Sequence, residues 1–152
     1  MKALTLSEFA DKLNDIFPVI MRELARRQTN ELLKGKITLP QFLILDFLAK
    51  HDSSKMSAIA HFMGVSTAAT TGLIDRLLKY AYIKRESDLS DRRIVKIKIT
   101  PKGAEISKRI NAQRHQMIIH IFDKISEKER EDYLRVLLRI QHIVNDEKQD
   151  MK

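Results

Sequence analysis

The residues best equipped for chemistry with a polyanion are Asp91, Arg92 and Arg93, in the stretch ESDLSDRRIVKIKIT from Glu86 to Thr100. A guanidinium is flat and permanently charged, which suits it to phosphate oxygens and to the negative potential of a narrow DNA minor groove. Asp91 would repel phosphate. Beside two arginines, however, it can orient one of them through a charge-assisted hydrogen bond. A second candidate lies upstream, in STAATTG from Ser66 to Gly72, where the side chains are short and several carry hydroxyls. A helix starting with such residues can approach base edges closely, and the unpaired N–H groups of its first turn favour phosphate. Arg76 and Lys79 follow on the same helix.

Other chemistries find less support. The chain has no cysteine, which excludes disulfides, thiolate metal sites, cysteine nucleophiles and thiol-based redox sensing. Its five histidines are scattered, with no H-E-x-x-H, no glycine-rich phosphate loop and no G-x-S-x-G, so neither an enzyme, a cofactor nor a metal site is expected. Among 152 residues, 28 are Lys or Arg and 20 are Asp or Glu, a formal charge of +8 that attracts polyanions. No apolar run reaches the ~18 residues of a membrane span, and the first residues do not read as a signal peptide. A soluble cytoplasmic protein is expected.

The elements that must position these residues are mostly helical. Apolar residues from Leu6 to Leu24 recur at helical spacing, and Thr5 with Glu8 has the spacing of a capping box. Pro18 should kink or interrupt this helix, which is expected to resume from Ala25 to Leu33 and stop near Gly35. Thr38-Leu39-Pro40-Gln41 starts a second helix running to about Lys50. His51 to Lys55 reads as a polar break, and Ser57 as the cap of a short third helix ending at Gly64. A fourth runs from near Ser66 to about Tyr80. Ala60, four residues before the glycine, lets the third and fourth helices pack closely, as in a helix-turn-helix. Residues 82–86 and 94–99 form the convincing strands, with Val95, Ile97 and Ile99 on one face, and Ser87 to Arg93 projects between them as a loop. Thr100-Pro101 starts a fifth helix to about Lys124, and Ser126 with Glu129 caps a sixth.

MSAIAHFMGVS, TGLIDRLLKYAYIKRES and SDRRIVKIKITPKG, in this order, resemble the MarR family of winged helix-turn-helix transcription regulators across nearly the whole chain, including TLPQFLIL. The resemblance implies a mainly α fold with a small β-hairpin wing. A winged-helix core, residues 38–100, is flanked by dimerisation helices at 5–34 and 101–146 in a single domain, 1–152. It implies a homodimer on a pseudopalindromic operator of double-stranded DNA, more often repressing than activating. Ser66, Thr67, Ala68 and Thr71 would face the major groove, Arg93 the minor groove with Asp91 as its orienting partner, and Arg92 a phosphate. A small anionic or aromatic effector controlling release is also implied, with no ligand-binding residues identified. Two departures bear on geometry. Gly72 stands where some relatives carry a base-reading arginine, and Tyr80-Ala81 replaces the common basic-Gly pair, which leaves the wing's angle open.

The terminal helices carry more apolar surface than one core-facing stripe needs, notably at Ile118, Ile119, Ile121 and Phe122 and from Val136 to Val144. Packed about a twofold axis, they would set two reading heads roughly one DNA turn, ~34 Å, apart. The alternative is a winged-helix protein-interaction module without specific DNA binding. Such a module has no use for arginines at a wing tip.

Overall fold

The computed structural model describes residues 4–26, 37–88, 91 and 93–150. In order these form α1 (Leu6–Arg26), α2 (Leu39–His51), β1 (Ser53–Lys55), α3 (Met56–Met63), α4 (Thr67–Lys79), β2 (Ile83–Ser87), β3 (Val95–Ile99), α5 (Pro101–Phe122) and α6 (Glu127–Asp150). The chain divides into two compact units, Met1–Arg114 and His115–Lys152, the boundary falling inside α5.

In the first unit, α2 to β3 with the first half of α5 enclose the core. Phe42, Ile44, Leu45 and Leu48 of α2, Ile59 of α3, and Ile74 and Leu77 of α4 are fully or almost fully buried, as is Ile110 of α5. Each such side chain removed from water stabilises the fold by about 1.5–3 kcal/mol before ordering costs. The helix starts follow the capping pattern. The Thr5 N–H donates to Glu8 Oε2 at 2.8 Å, and that of Thr38 to Gln41 Oε1 at 2.9 Å. In the second unit, the Ser126 N–H and hydroxyl both donate to Glu129 Oε2, at 2.8 and 2.6 Å.

Two expectations need correction and a third is narrowed. His51 to Lys55 is not merely a polar break, because β1 pairs antiparallel with β3 and completes a sheet of order β1-β3-β2. Three polar residues show no period, and β1 exists because the edge of β3 offers unpaired backbone groups. The third helix begins at Met56, with Lys55 rather than Ser57 at its N-cap position. Of the kink or interruption expected at Pro18, the interruption does not occur, since α1 runs through it. The resumed helix expected from Ala25 to Leu33, with its stop near Gly35, lies largely outside the described residues.

Strand register explains the two faces of the sheet. Ile83 pairs with Ile99, Arg85 with Ile97 and Ser87 with Val95, so these six share a face whose inner end, Ile83 and Ile97, is buried. The other face carries Lys84, Glu86, Lys96 and Lys98. Gly103 in α5 sits so close to the sheet that an added Cβ would lie 2.0 Å from the Tyr82 carbonyl oxygen, which restricts the position to glycine.

Candidate nucleic-acid interface

α3 and α4 meet at Gly64, whose φ of 65° is left-handed. There the Gly64 N–H donates to His61 O and the Val65 N–H to Ala60 O, closing the last turn of α3 before α4 starts. Ser66 is extended and caps α4, its Oγ accepting from the Ala69 N–H at 3.2 Å. Thr70 and Thr71 turn their hydroxyls back on the helix, donating to Ser66 O at 3.0 Å and Thr67 O at 2.9 Å. Thr70 is buried. Ser66, Thr67, Ala68, Gly72, Asp75, Arg76 and Lys79 are exposed, and Thr71 is half-buried. A Cβ added at Gly72 would meet nothing within 4 Å, so packing in the chain does not demand glycine there.

The wing tip is built on carboxylates. The Asp88 N–H donates to Ile94 O at 2.8 Å and the Ile94 N–H to Asp91 O at 2.9 Å, which closes the loop. Asp88 Oδ1 accepts from the Asp91 N–H at 3.3 Å. Asp91 Oδ1 in turn accepts from the backbone N–H of Arg93 at 3.0 Å and from its Nε at 3.2 Å. The Arg93 side chain, thus oriented, remains 92% exposed. Hydrogen bonds from the Arg93 side chain first and its backbone N–H second hold the Asp91 carboxyl below the usual carboxylate range. Arg92 lies outside the described residues.

Between helix and wing comes a stiff joint. Ala81 has φ 55° and is the left-handed residue of a helix-ending motif in which the Tyr82 N–H donates to Leu77 O and the Ala81 N–H to Leu78 O. Although glycine is missing here, the chain leaves the helix through a left-handed residue. The Thr100 hydroxyl lies 2.8 Å from Ala81 O and 3.0 Å from Tyr82 O, and the Lys102 ammonium donates to Tyr80 O at 2.8 Å. Beyond the joint, Arg85 Nη2 of β2 meets Asp75 Oδ1 of α4 at 3.2 Å.

The ion pairs of the outer sheet face escaped the sequence reading. Lys98 contacts Asp52 at 3.0 Å and Glu86 at 3.6 Å, and Lys96 pairs with Asp88. The hydrogen bond that the Lys98 ammonium donates to Asp52 is the main reason the Lys98 pKa is raised. A basic alternation such as KIK invites assignment to phosphate, yet both lysines already have carboxylate partners. Only the strand register reveals it. Among the described residues, no group of three or more His, Asp or Glu is placed to hold a metal ion.

The MarR family profile matches residues 37–95, which contain α2, the helix-turn-helix and the start of the wing. A crystal structure of a MepR-like protein complexed with pseudoligands is 30% identical, covering 88% of this chain and 94% of that one, with a TM-score of 0.61. The chain belongs to the MarR family. Another relative is the helix-turn-helix transcriptional repressor MdtR of Bacillus subtilis, 29% identical over 94% of this chain and 96% of MdtR. Other curated relatives from that organism, also named helix-turn-helix transcriptional regulators, match over less of their length, the chain covering 64% of one and 73% of another. The fold is shared with Streptococcus pneumoniae FabT, crystallised in complex with DNA, at 22% identity and a TM-score of 0.76, covering 93% of this chain and 99% of FabT. This MarR-family chain is therefore a winged helix-turn-helix, with α4 as its second helix and β2 and β3 as its wing.

Proposed function

We propose that the chain is a DNA-binding transcription repressor that grips a pseudopalindromic operator as a homodimer. The observation that carries this reading is the Asp91–Arg93 pair: an almost fully exposed guanidinium, aimed by a carboxylate, at the end of a hairpin that directly follows α4. α4 enters the major groove with Ser66, Thr67, Ala68 and Thr71 foremost, while Arg76 and Lys79 add charge along the same helix. Arg93 enters the adjacent minor groove, where a narrow A·T-rich stretch offers the most negative potential, and Arg92 binds phosphate. Residues 38–100 form the DNA-binding core. MdtR's name supports repression, and the FabT–DNA complex shows that this fold can seat a duplex.

Exposed apolar residues support the dimer. In α1, Phe9, Ile16, Phe17 and Ile20 are each about half exposed, as are Tyr133, Leu134, Ile140 and Ile143 in α6. A monomer in water rarely leaves so much apolar surface bare. Residues 5–34 and 101–146 accordingly form the dimer contacts. A small anionic or aromatic effector that favours one packing of these helices changes the spacing of the two heads and so the operator affinity. Among the described residues, no helix is long and apolar enough to cross a membrane.

The test measures binding to DNA from upstream of the chain's own gene across a salt series. The reading expects a preference of about a thousandfold or more for one site over bulk DNA and a steep loss of affinity with salt. Equal weak affinity for all duplexes, or a monomer in sedimentation, overturns it.

A further inference from the structure

We infer that Asp75 and Arg85 are positioning residues that fix the angle between the reading helix and the wing; this rests on the DNA-binding reading above. Three observations converge on the pair. First, Asp75 lies on the same exposed stripe of α4 as Ala68, Gly72 and Lys79, at spacings of four, three and four residues. A bare carboxylate on a surface that meets a polyanion costs affinity through repulsion, so its presence there calls for a compensating role. Second, Arg85 pairs in register with Ile97 and shares the face that Ile83 buries. It stands where that face reaches solvent over α4, whereas Lys84, Glu86 and Lys98 on the opposite face pair among themselves or with Asp52. Third, the contact spans the joint at Ala81, a left-handed alanine with a narrow range of allowed backbone angles. Thr100 clamps the base of that joint and Asp75–Arg85 ties it farther out, at 3.2 Å. Two ties on either side of one hinge define its angle.

Both partners are more than half exposed, 58% for Asp75 and 54% for Arg85, so the pair contributes little to global stability. Its effect lies in alignment. Two grips on adjacent grooves reinforce each other only when their separation matches the duplex, and a preset angle avoids ordering the wing at the moment of binding.

The test separates alignment from charge. Removing the Asp75 carboxylate by Asp75→Asn makes the surface more positive, so a purely electrostatic role raises affinity for every duplex. Alignment requires the opposite for the specific site. Asp75→Asn should weaken binding to a duplex enriched from a random pool by the parent protein about fivefold or more, while binding to a scrambled duplex holds or rises. Arg85→Gln should also lower the specific-to-scrambled ratio, and the charge-swapped double variant Asp75→Arg/Arg85→Asp should recover most of it. A second arm needs no DNA. The chain has no native cysteine, so spin labels at Ala69→Cys and Ser87→Cys, in labelled protein diluted with a large excess of unlabelled chain, report the helix-to-wing distance within one chain. The distance distribution should be narrow in the parent, broad in Asp75→Asn and narrow again in the swap. An unchanged distribution overturns the inference whatever the DNA result, and so does a broadened one with undiminished specific affinity. A parent protein that enriches no sequence sinks the DNA-binding reading instead and leaves the label arm to decide the angle.

Discussion

Asp91 accepts from Arg93 at three points, the backbone N–H at 3.0 Å, Nε at 3.2 Å and Nη2 at 3.4 Å. The carboxylate thereby fixes both the backbone turn and the direction of the guanidinium. Arg93→Ala should weaken operator binding by about tenfold to a hundredfold in fluorescence anisotropy, leaving the thermal midpoint within a few degrees of the parent. Asp91→Asn should produce a smaller loss, because the arginine remains but is no longer aimed. Parent-like affinity in the Arg93 variant sinks the wing assignment.

The same pair has a pH signature. The Asp91 carboxyl is held below its usual value by Arg93, so its folded pKa is lower than its unfolded one. A group depressed in this way stabilises the tip fully above the ordinary carboxylate pKa of ~3.9 and ceases to do so as pH falls through the lower folded value. The Arg93 Nε–H resonance should therefore stay constant from neutral pH down to about 4.5 and move only below that. In Asp91→Asn it should sit at the unanchored position throughout. Movement between pH 6 and 7 would point to a different partner.

Much of this architecture was legible in the sequence because its signals are local. Thr5, Thr38 and Ser126 each announce a helix start through an acid or amide three residues on, and the three contacts form. Gly64 and Ala60 mark the turn between α3 and α4 in the same way. What the sequence concealed depends on pairing between distant segments. β1 exists only because β3 is beside it, and Lys98 finds Asp52 and Glu86 only once the register is set. Ala81 was readable as a missing glycine, but its φ of 55° follows from how Thr100 and the close approach of Gly103 hold the Tyr80–Tyr82 corner.

That corner sets up a contrast between two small substitutions. Gly103→Ala places a methyl 2.0 Å from the Tyr82 carbonyl oxygen, a backbone atom with no rotamer to yield. It should lower stability by about 3 kcal/mol in urea unfolding. Ala81→Gly relieves a left-handed alanine, which costs about 1–2 kcal/mol, against a larger unfolded-state entropy of about 0.5–1 kcal/mol. It should leave stability equal or slightly higher while softening the joint. A Gly103→Ala variant as stable as the parent would show that α5 leaves room for a methyl beside the Tyr82 carbonyl oxygen.

The dimer reading makes its strongest demand on α6. Tyr133 and Leu134 lie one helical turn before Leu137, and the three, with Ile118 and Phe122 of α5 and the Arg130 side chain, line an apolar cavity of about 510 Å³ in the second unit. Arg130 caps α5 by donating from Nη1 to Phe122 O at 3.0 Å and to Ile125 O at 2.7 Å, which keeps the wall of this cavity in place. If a second copy covers the surface, Leu137→Glu buries a carboxylate in an apolar seam, and dimers should give way to monomers in sedimentation velocity. Helical content should persist, since Leu137 is 42% exposed within one chain. Each monomer then keeps one reading head, so affinity for the full inverted repeat should fall about a hundredfold, to the level of a half-site. A Leu137→Glu protein that remains dimeric and binds the full repeat as tightly as the parent would place the twofold axis elsewhere.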